Sequence, residues 1–274
     1  MKGEKVVVLI TGASSGIGKA CAEKLAEKGY YVIGTSRLEE KQVLNVGLGQ
    51  LEIIQMDVDK VLSVKNAVNL VLEKAGKIDV VINNAGIVLA GSIEDTSSNE
   101  AKKQLETNFF GVHRVCREVI PIMRAQKKGL IINISSLAGA IGLPFQGFYS
   151  ASKFALEALS EALKLEVMLF GIKVVLIEPG DFQTPVTQHR RFAKKSLHHG
   201  SIYEGNFKKA IEIQENEERN GGNPQKIANL IVKILSKKNP RFRYKIGPSS
   251  FLVGMKKFLP QNFIDFLLCQ HYKI

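Results

Sequence analysis

Six short apolar runs punctuate the first two-thirds of the chain: 6–10 (VVVLI), 31–35 (YVIGT), 51–58 (LEIIQMDV), 78–86 (IDVVINNAG), 129–135 (GLIINIS) and 172–180 (IKVVLIEPG). They are near-continuous rather than alternating, the pattern of parallel strands buried on both faces. Between them lie stretches of helical periodicity at 18–29, 63–76, 99–126 and 152–171, three of which end at a glycine suited to a left-handed cap: Gly29, Gly76 and Gly171. The alternation predicts a doubly wound parallel sheet with helices on both faces, in one α/β domain spanning 1–274. A helix at 223–237, with Asn223 as N-cap and Pro224 in its first turn, leads to a seventh strand at 243–247.

Two segments depart from this pattern. Residues 181–222 are polar, basic and weakly periodic, as expected of a substrate loop. The tail 250–274 is apolar but interrupted by Lys256 and Lys257. It has three readings: a lid, a subunit contact, or a helix lying on a membrane surface. Pro260 splits the run and disfavours the third.

Composition narrows the function classes. Apolar residues make up 45% of 274, enough for a large core, and the formal net charge is +12. The lysines are scattered, so a solvated basic surface is the first reading and attraction to anionic partners the second. No Cys/His finger or arginine–aromatic module occurs, so no nucleic-acid partner is expected. The three cysteines, Cys21, Cys116 and Cys269, are odd in number and far apart, and do not make a disulfide framework or a metal-ligand spacing. With a strand beginning near residue 5 and no long uncharged apolar run, the expected location is the cytoplasm.

Candidate chemistry starts at TGASSGIG (11–18), between the first strand and the first helix. Gly12, Gly16 and Gly18, with Ser14, Ser15 and Ile17, suit a tight turn that brings a pyrophosphate to a helix N-terminus. An acid at the end of the second strand would bind an adenosine ribose diol; here Ser36 and Arg37 stand instead, with no acid before Glu39. Arg37 is therefore a candidate ligand for a 2′-phosphate, favouring NADP(H) while leaving NAD(H) possible. Asp57 and Val58 are candidates for the adenine edge. Tyr149 and Lys153, four apart in YSASK, share one helical face.

These motifs, together with NNAG (83–86), Asn108 in TNFFG and ISS (134–136), occur in the order and spacing of the short-chain dehydrogenase/reductases. The chain resembles that family from about residue 5 to about 237. The resemblance implies a Rossmann-type sheet of about seven strands and a catalytic set of Asn108, Ser136, Tyr149 and Lys153. It implies that Asn84, Ala85, Gly86, Pro179, Gly180 and Thr184 also hold the cofactor, and that the chain forms a homodimer or homotetramer. Reduction of a ketone needs a hydride donor and a proton donor; a free tyrosine, with a pKa of about 10, is slow in that role. Lys153 and the positive oxidised nicotinamide would favour tyrosinate, and the Ser136 hydroxyl would bind the same substrate oxygen. By resemblance, Asn108 holds a water that links Lys153 to solvent.

GLPFQGFYSASKFALEAL is similar to the 17β-hydroxysteroid and retinol dehydrogenase branch. That implies a bulky apolar alcohol or ketone, steroid- or retinoid-like, contacted by Ser136, Leu143, Phe145, Tyr149 and residues from 186 onward. The basic residues Arg190, Arg191, Lys194 and Lys195 could instead meet an anionic head group. Two other functions remain open: a 3-oxoacyl reductase using Arg124, Lys127 and Lys128 to hold an acidic carrier, and a nucleotide-binding sensor or scaffold without turnover.

Overall fold

The computed structural model describes residues 5–38, 42–197 and 200–274, so Glu39 lies outside the described residues. The strands are β1 (Val7–Ile10), β2 (Tyr31–Ser36), β3 (Gln42–Val46), β4 (Gly49–Gln55), β5 (Val80–Asn83), β6 (Leu89–Ala90), β7 (Gly129–Ile134), β8 (Ile172–Pro179), β9 (Arg191–Phe192) and β10 (Arg243–Ile246). The helices are α1 (Gly16–Glu27), α2 (Val61–Ala75), α3 (Ser98–Leu105), α4 (Gly111–Ala125), α5 (Gly147–Val167), α6 (Val186–His189), α7 (Glu204–Arg219), α8 (Gln225–Leu235), α9 (Ser250–Met255) and α10 (Gln261–Tyr272).

Eight strands form one sheet in the order β10-β8-β7-β5-β1-β2-β4-β3, and β6 pairs with β9 in a separate two-stranded ribbon. The seven predicted strands are all present and mutually parallel, and β3 is an eighth, antiparallel to β4 at the edge. Its hairpin closes through Gly47 and Leu48 between the paired Val46 and Gly49. Gly47 has φ 58°, the left-handed conformation such a two-residue turn requires.

Successive residues of β1 face opposite layers. Val7 and Leu9 join the core under α2, α4 and α5, whereas Val8 and Ile10 join the core under α1 and α8. Burial on both sides is why the strand sequences read as unbroken apolar runs. Gly29, Gly76 and Gly171 have φ of 93°, 71° and 72°, in line with their expected cap role. Among the described residues no helix is long and apolar enough to cross a membrane.

Segment 181–222 is more ordered than its sequence suggests. It holds α6, β9 and the 16-residue helix α7, whose Phe207, Ala210 and Gln214 are buried. The weak periodicity arises because only a narrow stripe of α7 packs inward.

Candidate active site

Strand order reverses between β1 and β5, and the loops leaving their C-terminal ends part to open a crevice. After β1 the chain turns at Gly12 (φ 66°) and Gly16 (φ 55°) into α1. A Cβ on Gly12 would lie 3.0 Å from Ala85 Cα, and one on Gly18 only 2.2 Å from the Gly12 carbonyl oxygen. Gly18 therefore lies beneath the turn, where no side chain fits. Asn84 Nδ2 donates to the carbonyls of Thr11 (3.0 Å) and Gly12 (2.9 Å), and the Thr11 hydroxyl accepts the Asn84 and Ala85 amides (both 2.9 Å). Ser15, at the N-cap of α1, makes no side-chain capping bond, so it does not occupy the first-turn amides. Such amides are anion donors.

The crevice widens into a cavity of about 1120 Å³. It is lined by Gly12, Ser14, Ser15, Gly16 and Ile17, with the exposed Arg37 at the end of β2 and Asp57 and Val58 after β4. Asn84, Ala85 and Gly86 follow, then Pro179, Gly180 and Thr184 after β8. A Cβ on Gly16 would lie 3.4 Å from Thr184, so the loop after β8 closes over the glycine turn. Bare backbone, uncapped amides and a guanidinium in one crevice fit a phosphate-bearing dinucleotide.

Asn108, Ser136, Tyr149 and Lys153 all line this cavity. Between α3 and α4 the helix widens into a π turn, Glu106–Phe110, and Asn108 sits in it. Its Oδ1 accepts the Ile87 amide at 2.8 Å, and its Nδ2 donates to the Ile87 carbonyl (3.0 Å) and the Ser152 hydroxyl (3.1 Å). Asn108 is thus clamped to the β5 exit and to α5. Asn83 is buried behind it, where its Nδ2 donates to Asn133 Oδ1 at 2.8 Å and Asn133 Nδ2 donates to the Ser160 hydroxyl at 2.8 Å. This chain ties β5, β7 and α5 together.

Ser135 and Ser136 both line the cavity after β7; the Ser136 hydroxyl accepts the Ala138 amide at 3.1 Å, and the buried Ser135 also packs beside Gly139. Tyr149 and Lys153 both line the cavity from the first two turns of α5. Lys153 Nζ donates to the Ile134 carbonyl at 2.9 Å and lies 5.8 Å from the Tyr149 ring centroid. Burial pushes the Lys153 ammonium down to about 8, with Glu157 opposing the shift. The Tyr149 hydroxyl is raised above its usual value, first by burial and then by the carboxylates of Glu218 and Asp181, while the Ser136 hydroxyl and Arg190 act to lower it.

Several expected positions are corrected. Leu143 lines the cavity but Phe145 does not. Phe145 takes a left-handed φ of 59°, and its ring packs edge-on against Phe207, centroids 5.6 Å apart. Arg124, Lys127 and Lys128 precede β7, at the end of the sheet opposite the cavity, about 20 Å away by strand rise. They cannot hold a carrier at its mouth. Arg190 is buried and paired with Glu218, and Lys195 lies 3.3 Å from Asp95, so neither is a free cation. Val186, His189 and Arg191 do line the cavity.

Other lining groups carry no local sequence signal. Asp181 follows β8, Gln214, Glu217 and Glu218 lie on α7, and His271 and Tyr272 end α10. The tail contributes Val253, Leu259, Ile264, Leu267 and Leu268 to the same space. These residues are far apart in sequence and meet only through packing of α7 and α10.

The model of the family described as short chain dehydrogenase matches residues 6–195. A 3-ketodihydrosphingosine reductase of Bacteroides thetaiotaomicron is 44% identical over 270 residues, covering 98% of both chains. An NADPH-dependent 3-dehydrocapnine reductase of Ornithobacterium rhinotracheale is 32% identical, covering 94% of each. Retinol dehydrogenase 8 of Bos taurus is 33% identical over 93% of this chain and 86% of its own. The motifs that meet in the cavity and this likeness along nearly the whole length lead to one assignment: the chain belongs to the short chain dehydrogenase family of oxidoreductases.

Proposed function

We propose that the protein reduces the ketone of a long-chain, largely apolar substrate with NADPH, through Asn108, Ser136, Tyr149 and Lys153. The observation that carries this reading is the position of the Tyr149 and Ser136 hydroxyls, between a crevice built for a dinucleotide and a cavity half walled by aliphatic side chains. When bound, the nicotinamide supplies the hydride and, once oxidised, a positive charge beside the site. Tyr149 gives its proton to the reduced oxygen. Ser136 holds that oxygen and lowers the cost of the charge building on it. Lys153 keeps two of its ammonium hydrogens for other partners after bonding Ile134, and these bind the nicotinamide ribose. The Asn108 side chain is engaged on three sides, so its main-chain carbonyl in the widened turn holds the water that returns a proton.

Arg37 supports the preference for NADPH over NADH, because the end of β2 offers a guanidinium and no acid through Leu38. The relative acting on 3-ketodihydrosphingosine and the apolar cavity wall support a long aliphatic chain over a rigid ring system. Segment 181–222 and the tail act as the substrate loop and the lid. The exposed apolar residues of α5 and the turn after it, Phe154, Leu165 and Leu169, support a homo-oligomer. The unpaired cysteines fit a reducing compartment.

The test is turnover of 3-ketodihydrosphingosine followed by loss of reduced nicotinamide, with NADPH and NADH compared. A kcat/KM with NADPH at least about tenfold above that with NADH supports both parts. Tight cofactor binding without turnover of any long-chain ketone would remove the catalytic reading.

A further inference from the structure

Glu157 stands one helical turn beyond Lys153 on α5, and both are buried, Lys153 to 6% exposure and Glu157 to 8%. Residues four apart share a helical face, with Cβ atoms about 5–6 Å apart. Burying a carboxylate is costly unless it is paired. Glu157 is paired through one oxygen only. Arg243 of β10 donates to its Oε2 from Nε at 3.2 Å and from Nη2 at 2.6 Å. Its Oε1 is buried and has no hydrogen-bond partner among the described residues. The same guanidinium also reaches Glu161 Oε1 at 3.0 Å and Glu178 Oε1 at 2.5 Å, and Lys245 lies 3.6 Å from Glu178. Arg243 thus fixes Glu157 by one oxygen and leaves the other uncovered.

That oxygen lies beside the strand end to which Lys153 is bonded. A Cβ on Gly139 would be 3.2 Å from Glu157 Oε1 and 2.8 Å from the Ser135 hydroxyl oxygen. Ser135 follows Ile134, whose carbonyl accepts Lys153 Nζ at 2.9 Å. Lys153 and Glu157 therefore close on consecutive residues at the end of β7. The ammonium needs a counter-charge there, because it is buried and its bond to Ile134 is to a neutral carbonyl. The charge of Glu157 opposes the loss of its proton. Asp181, Glu218 and Arg190 bear on the Tyr149 hydroxyl.

We infer that Glu157 is a positioning residue for the proposed reduction: anchored by Arg243, its carboxylate keeps the buried Lys153 ammonium charged. The inference rests on the Tyr149–Lys153 reading of the reaction and adds a residue to it. A neutral Lys153, bonded to Ile134, would offer the nicotinamide ribose one N–H where the charged form offers two. It would also cease to favour tyrosinate. Glu157 does not line the cavity, so it acts through Lys153.

The test titrates Lys153 itself. The full-length protein, free of nucleotide, is trace-acetylated with acetic anhydride at intervals from about pH 6 to about pH 11, and the Lys153 peptide is quantified by mass spectrometry. Wild type should titrate at about 8. Glu157→Gln keeps the shape and an acceptor for Arg243, and should move that titration down by about one pH unit or more. Glu157→Asp, which keeps the charge but draws it back, should move it down by about half as much. Glu161→Gln, which alters a largely exposed partner of the same guanidinium, should leave it in place. In parallel, the alkaline limb of kcat with NADPH and 3-ketodihydrosphingosine should move down with Glu157→Gln and stay with Glu161→Gln. A merely structural Glu157 would lower stability and move neither. An unmoved Lys153 titration in folded Glu157→Gln overturns the inference; if that variant does not fold, an unmoved titration in Glu157→Asp does so. A wild-type Lys153 that titrates below about 7 overturns it without any variant. An unmoved titration with ketone turnover leaves the reductase reading standing. A moved titration without turnover of the ketone upholds the pairing of Glu157 with Lys153 and removes the reductase reading.

Discussion

Tyr149 is held in a setting that raises its hydroxyl pKa: burial, with Glu218 and Asp181 nearby, outweighs the Ser136 hydrogen bond. Tyr149→Phe should lower kcat by about 10²- to 10⁴-fold, with NADPH affinity nearly unchanged in a fluorescence titration; wild-type turnover would remove Tyr149 from the mechanism. Lys153 makes a different prediction. Its folded pKa of about 8 lies below the 10.5 of a free lysine. Between those values the unfolded chain binds the proton and the folded chain does not, so stability rises with pH across that window and is lost as pH falls through 8. Lys153→Met should flatten that rise, as read by urea midpoints at intervals from pH 7 to pH 10. Gly18→Ala drives a methyl group into the Gly12 carbonyl oxygen. It should cost about 1–3 kcal/mol of stability, and dinucleotide affinity should fall with it.

At the scale of elements, what was legible in the sequence depended on how local its cause was. The glycine turn and the first turns of α5 are set by residues within a few positions of one another, and TGASSGIG and YSASK displayed them directly. The π turn at Asn108 instead interrupts a stretch that reads as one continuous helix over 99–126. Strand β3 was hidden because it is a short edge strand, paired on one side only and without the apolar run of a central one. Phe145 was misplaced for a backbone reason: its left-handed φ accompanies a ring packed on Phe207 rather than in the cavity. Asp181, Glu217 and His271 had no shared signature, since they meet only after α7 and α10 dock. Those two helices also frame the substrate end, with the tail supplying one aliphatic wall. Ending the chain before Ser250 should therefore raise KM for a long-chain ketone by about tenfold or more while NADPH binding persists; an unchanged KM would show that the tail is not a lid.

Over the whole molecule, the sheet divides the core into two layers and places its C-terminal edge under the cavity. The layers are packed tightly enough that Ile132, fully buried in the centre of β7, should cost about 2–5 kcal/mol as alanine without altering cofactor preference. The outer side of α5 has no such cover: Leu165 is 64% exposed and Leu169 in the turn after it 87%. Patches of this kind mark subunit contacts. Light scattering should give a dimer or tetramer for the wild type and a smaller species for Leu165→Glu/Leu169→Glu; a wild-type monomer would contradict the proposed assembly. The central claim, hydride transfer onto a ketone beside Tyr149, is tested most directly by following one atom. NADPH deuterated at nicotinamide C4 on each face in turn is reacted with 3-ketodihydrosphingosine, and the alcohol is analysed by mass spectrometry. One deuterium at the former carbonyl carbon, delivered from one face only and absent with Tyr149→Phe over the same interval, is the expected result. An alcohol without deuterium from either face, or no alcohol from protein saturated with NADPH, would contradict it.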